Sequence, residues 1–172
     1  YDGAIARCHQ VLAVDASNGP AHRLLGEIYL HSNRLEDAVE QLTRATQADG
    51  EDAEAYLWLA YTYDQMGEGD SAILMFLRVL QLDPENHEAL NSLAYIYAQR
   101  GEQLDSAEDK ARQALVAQPD HPAYLDTLGW VYFKQGRLAE AIQAIEKANL
   151  LQPGSAEILE HLGDVHTKAG NH

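Results

Sequence analysis

The sequence predicts an all-α chain built as a solenoid of antiparallel helix pairs, and three observations carry that prediction. The chain repeats itself: HRLLGEIY (His22 to Tyr29) recurs as Tyr56 to Tyr63, Leu90 to Tyr97, Leu125 to Tyr132 and Leu159 to His166, at offsets of 34, 34, 35 and 34. A period in that range marks stacked supersecondary units. Within each copy the apolar positions are spaced by three, four and seven, which is helical. One column between the two halves of each copy holds Asn33, Gly67, Gly101, Gly136 and Gly170, residue types that tolerate the left-handed conformation ending a helix.

Taken in order, residues 1–18 read as the second helix of a unit, with Ala4 and Cys8 in a small-then-larger column. Full units follow at 19–52, 53–86, 87–121 and 122–155, and 156–172 reads as the first helix of another. The same column recurs as Ala38 and Leu42, Ala72 and Phe76, Ala107 and Ala111, and Ala141 and Ile145. Pro20 and Pro122 stand where a first helical turn accepts proline, and Ser155 is placed to cap the last helix. Pro84, Pro119 and Pro153 close three units, whereas Gly50 takes that place in 19–52. The extra residue lies in GEQLDSA (101–107) against GEGDSA (67–72), a turn, where it shifts neither helix face.

Small residues at Gly26, Ala60, Ala94, Gly129 and Gly163 allow two helices of a unit to approach closely. Leu25, Leu59, Leu93, Leu128 and Leu162, with Tyr29, Tyr63, Tyr97 and Tyr132, belong to the same packed seam. These spaced patterns resemble the tetratricopeptide repeat over essentially the whole chain. His166 departs from the pattern, standing where the other copies have tyrosine. The resemblance implies a right-handed superhelical solenoid whose concave groove is lined by the first helix of each unit.

Composition narrows the function. Twelve basic against 27 acidic residues give a formal charge of -15, which argues against nucleic acid or an anionic membrane as partner, since both need clustered cations. No apolar run approaches the roughly 18 residues that would span a bilayer, so direct membrane insertion is not expected. The lone Cys8 excludes an internal disulfide framework and sits in a core column.

One residue past the small column come Glu27, Tyr61, Tyr95, Trp130 and Asp164, a column that the resemblance points into the groove. The candidate partner-binding groove comprises Tyr61, Tyr95 and Trp130 as an aromatic ladder, with Leu57, Trp58, Phe133, Glu27, Asn91 and Asp126 beside it. An aromatic anchor buries about 150–250 Å², and two can sustain micromolar binding. The alternative is that these rings pack against the adjacent repeat and only stiffen it. Acids on the first helices, Glu54, Asp64, Glu88, Glu157 and Glu160 among them, would favour a basic or amphipathic protein or peptide.

A well-known use of the family, gripping a C-terminal carboxylate, needs lysine, arginine and asparagine at set groove positions. On the first three full units those positions hold Arg23, Glu27, Trp58, Glu88 and Ser92, and later frames supply no cation. His161 and His166 are five apart, unlike the four-residue spacing of a helical zinc pair, and no phosphate loop or serine elbow is present. No enzyme activity, cofactor or metal is expected. Two functions stand: a recognition scaffold, and an architectural module that forms homo-oligomers through its terminal helices, where Ile158, Leu159, Leu162 and Val165 have no following helix in the sequence. The stretches LNSLAYIYAQRGEQLDSAEDKARQAL (90–115), YLDTLGWVYFKQGRLAEAIQAIEKA (124–148) and HLGDVHTKAG (161–170) also resemble a subset of bacterial exported lipoproteins and envelope-assembly factors. That likeness implies the periplasmic side of a bacterial envelope, with the cytoplasm as the alternative.

Overall fold

The computed structural model describes residues 2–170, and among them the secondary structure is ten helices and no strand. They are α1 (Asp2–Val14), α2 (Gly19–His31), α3 (Leu35–Ala48), α4 (Ala53–Gln65), α5 (Gly69–Leu82), α6 (His87–Arg100), α7 (Leu104–Ala117), α8 (Pro122–Lys134), α9 (Leu138–Leu151) and α10 (Ala156–Ala169). The chain divides into two compact units, Tyr1–Pro84 and Glu85–His172.

In the first unit α1 packs on α2, α2 on α3, α3 on α4 and α4 on α5, with α2 also against α4. The second unit repeats the scheme: α6 packs on α7, α7 on α8, α8 on α9 and α9 on α10, while α8 also touches α6 and α10. The small-then-larger column forms the seams: Ala38, Leu42, Ala72 and Phe76 in one unit and Ala107, Ala111, Ala141 and Ile145 in the other are fully buried.

Local chemistry explains the helix ends. Asn33, Gly67, Gly101, Gly136 and Gly170 all have positive φ, from 57° to 79°, and an amide one to three residues past each of these helices turns back to bond a carbonyl of the last turn. The inserted residue is absorbed by Gln103, which adopts a left-handed φ of 48° just before α7. Asn18, Asp52 and Asn86 each accept a hydrogen bond from the amide three residues on, at 3.1, 3.0 and 3.0 Å. These side-chain caps recur at the repeat spacing and were not among the expected ones. Ser155 occupies the cap position of α10, yet its side chain makes no capping bond.

Two expected seam residues are less enclosed than their counterparts. Leu162 is half-buried, because on α10 no second helix lies against the small-residue side among the described residues. Tyr63 is also half-buried; the residue five places on is Glu68, but Tyr97, followed likewise by Glu102, is 5% exposed, so that position alone does not set the burial. For Tyr29 and Tyr132 that place holds Arg34 and Arg137, whose guanidinium groups lie 4.1 and 4.2 Å from the ring centres and roof the rings.

Candidate functional site

The aromatic column splits into two different settings. In the first unit Trp58 and Tyr61 lie three residues apart on α4, hence on one face, with ring centres 6.0 Å apart. Trp58 meets His31 of α2 edge-on at 5.6 Å, and Tyr61 meets the buried Phe76 of α5 edge-on at 5.4 Å. Both α4 rings remain half-exposed. The Trp58 indole nitrogen has no hydrogen-bond partner. Glu27 is half-buried on neighbouring α2. Leu57 is 7% exposed, which corrects its place among groove contacts: it has little surface left to offer a partner. Arg23, the one cation at a carboxylate-gripping position, lies 3.2 Å from Asp52 and also pairs with Glu54, so its charge is already met.

In the second unit the column is closed at Trp130. Trp130 is only 6% exposed, which corrects its expected role as an open rung. Its ring stacks on His161 of α10 at 4.1 Å and 16°, and on Phe133 at 4.9 Å and 22°. The ammonium of Lys134 sits 4.6 Å from the same ring centre. Asp126, expected among the groove residues, is 3% exposed, which corrects that place, and its Oδ2 lies 2.8 Å from His161 Nδ1. Burial disfavours the charged imidazole, but the hydrogen bond and charge of Asp126, helped by Glu157 and Glu160, outweigh it and hold His161 above its ordinary value. The Asp126–His161 hydrogen bond thus ties α10 to α8.

Tyr95, Asn91 and Phe133 stay half-exposed. The Tyr95 hydroxyl accepts a hydrogen bond from Gln99 Nε2 at 2.7 Å, and burial, reinforced by the nearby Glu157 carboxylate, pushes it above its ordinary value. Rings thus stay half-exposed at Trp58 and Tyr61 in the first unit, and at Tyr95 and Phe133 in the second. The structure buries Leu57, Asp126 and Trp130. The Asp126–His161 pair escaped the sequence reading, although the two are one repeat plus one residue apart, a spacing that sets first helices of successive copies against each other.

Cys8 is buried, and burial raises its thiol above the ordinary value, consistent with packing rather than nucleophilic use. Beside it an apolar recess of about 380 Å³ runs between α1 and α2, lined by Ala4, Cys8, Val11, Pro20 and Leu24.

Models of the tetratricopeptide repeat match residues 1–52, 32–81 with 57–122, and 122–155. A TPR repeat-containing protein of Pseudomonas aeruginosa is 41% identical over 46 residues, which is 27% of this chain and 8% of that protein. Among solved structures, MamA is 27% identical with a TM-score of 0.76, covering 88% of this chain and 82% of its own. MamA from Desulfovibrio magneticus is 21% identical with a TM-score of 0.78, over 90% and 86% of the two chains. YrrB, a TPR protein with an unusual peptide-binding site, is 21% identical with a TM-score of 0.76, over 92% and 81%. At these identities the last two show a shared fold alone.

Proposed function

That the chain belongs to the tetratricopeptide repeat family is the premise from which we propose a protein-interaction scaffold that holds an amphipathic, basic segment of a partner protein. The observation that carries this reading is the contrast within one column. Trp130 is closed off by His161 and Phe133, whereas Trp58 and Tyr61 keep half-exposed rings. Two adjacent aromatic rings on a rigid helix make a low-entropy anchor for an apolar side chain. In the second unit Tyr95 supplies a second half-exposed anchor. Its acidic surroundings, with the net charge of -15, select lysine and arginine around the partner's apolar residues. YrrB lends support as a peptide-binding protein with this fold.

The test begins with peptides selected on the purified chain from a displayed random library, followed by titration of each against wild type, Tyr61→Ala and Tyr95→Ala. Selected peptides should combine an aromatic or branched aliphatic residue with lysine or arginine. Peptides held on the first unit should weaken by about 30-fold with Tyr61→Ala and those held on the second with Tyr95→Ala, the size of a 2 kcal/mol anchor, and added salt should weaken both further. Peptides that bind both variants as tightly as wild type, with circular dichroism showing intact helices, would refute the proposal.

A further inference from the structure

The buried Asp126–His161 pair has a third potential ligand beside it. Glu157 precedes His161 by four residues on α10, so the two share a face. Asp126, Glu157 and His161 each offer one oxygen or nitrogen, and the three atoms lie within 4.8 Å of one another. Asp126 and His161 are 3% and 5% exposed, while Glu157 reaches solvent, so the cluster has dry walls and one open side. A second observation points to a ligand: Asp126 Oδ1 is buried and has no hydrogen-bond partner, a vacancy that costs free energy unless something fills it.

We propose that Asp126, Glu157 and His161 bind one divalent transition-metal ion of the zinc class, with water completing its coordination from the Glu157 side. One imidazole and two carboxylates match the nitrogen and oxygen ligands that zinc accepts, whereas calcium and magnesium favour oxygen alone. Ligand atoms about 2.0–2.2 Å from a tetrahedral ion stand roughly 3.3–3.6 Å apart, so side-chain rotations of about an ångström close the cluster around it. The ion's two positive charges balance the two carboxylates in a site with little water. Asp126 comes from α8 and the other two from α10, so the ion would clip α10 to α8 beneath the stacked Trp130. None of its ligands is one of the proposed anchors, but Glu157 interacts with the Tyr95 hydroxyl, so the metal titration is made without peptide and its outcome does not depend on peptide binding.

The experiment titrates the full, EDTA-stripped chain with Zn²⁺ by calorimetry, in the presence of excess Mg²⁺. One equivalent should bind at micromolar protein, and Glu157→Gln and His161→Gln should each weaken it at least tenfold. His166→Gln should leave it unchanged. The exposed Glu157 makes the first variant the decisive one, since amide replacement there removes a ligand without opening the core; thermal melts in EDTA check that it folds as wild type does. Absence of saturable binding, displacement by Mg²⁺, or a full equivalent retained by both Glu157→Gln and His161→Gln would overturn the proposal.

Discussion

Replacing Gly129 and Gly163 by alanine makes one chemical change at two places in one column, and the surroundings give it different signs. Both glycines are inside helices, so each alanine gains about 0.8–1.0 kcal/mol of helix propensity. At Gly163 a β-carbon would meet nothing within 4 Å, and the gain stands in full. At Gly129 it would fall inside contact with Ile145 Cγ1 and lie 3.2 Å from both Ile145 Cδ1 and the Ala141 carbonyl oxygen. Cγ1 is the first atom out on a β-branched chain, and the carbonyl belongs to the α9 backbone, so neither retreats without parting α8 from α9. Overpacking of this kind costs about 1–3 kcal/mol, leaving Gly129→Ala roughly neutral to about 2 kcal/mol destabilised once propensity is subtracted. Propensity cancels between the two variants, so their difference isolates the close approach. Urea denaturation followed by circular dichroism measures it, through midpoints compared at equal slope. In an Ile145→Ala background the penalty at Gly129 should largely vanish, as a double-mutant cycle would show. A Gly129→Ala chain as stabilised as Gly163→Ala would refute the argument that this column is small because helices meet there.

Two other substitutions test local features of the second unit. Burial raises the Glu108 carboxyl, but hydrogen bonds from Arg112, Gln135 and Arg137 more than offset this and hold it below its ordinary 4.5. A depressed folded value means its stabilisation is complete above 4.5 and disappears as pH falls through the lower folded value. Glu108→Gln should therefore lower the urea midpoint at neutral pH, with the gap to wild type narrowing on acidification; a gap unchanged down to about pH 3 would contradict the linkage. Gln103 holds a left-handed φ of 48°, which costs a non-glycine residue about 1–2 kcal/mol. Gln103→Gly should recover part of that, raising the unit's stability by about 0.5–1 kcal/mol after the added chain entropy of glycine; a lower midpoint would count against backbone strain there.

What could be read from the sequence, and what could not, follows from which interactions the repeat itself enforces. The close approach at Gly26 and Gly129, and the left-handed residues from Asn33 to Gly170, solve the same local problem in every copy, so each position was visible through its equivalents. Exposure along the first helices is a different kind of property. It depends on the one side chain that the following first helix sets against each position, and that side chain varies from copy to copy. A column read as groove-facing throughout therefore fails at Trp130, because α10 brings the flat ring of His161 against it. The same imidazole turns Asp126 from an expected surface acid into a buried partner. Asp126 and His161 are also where the chain abandons its pattern: their counterparts one copy earlier are Asn91 and Thr127, a pair without opposite charges. A repeat protein can change such a pair without disturbing the seams that hold its helices together. Departures of matched charge between adjacent copies are therefore the sequence signal for a site, and the conserved spacing of glycine, alanine and leucine within this chain is the signal for the fold.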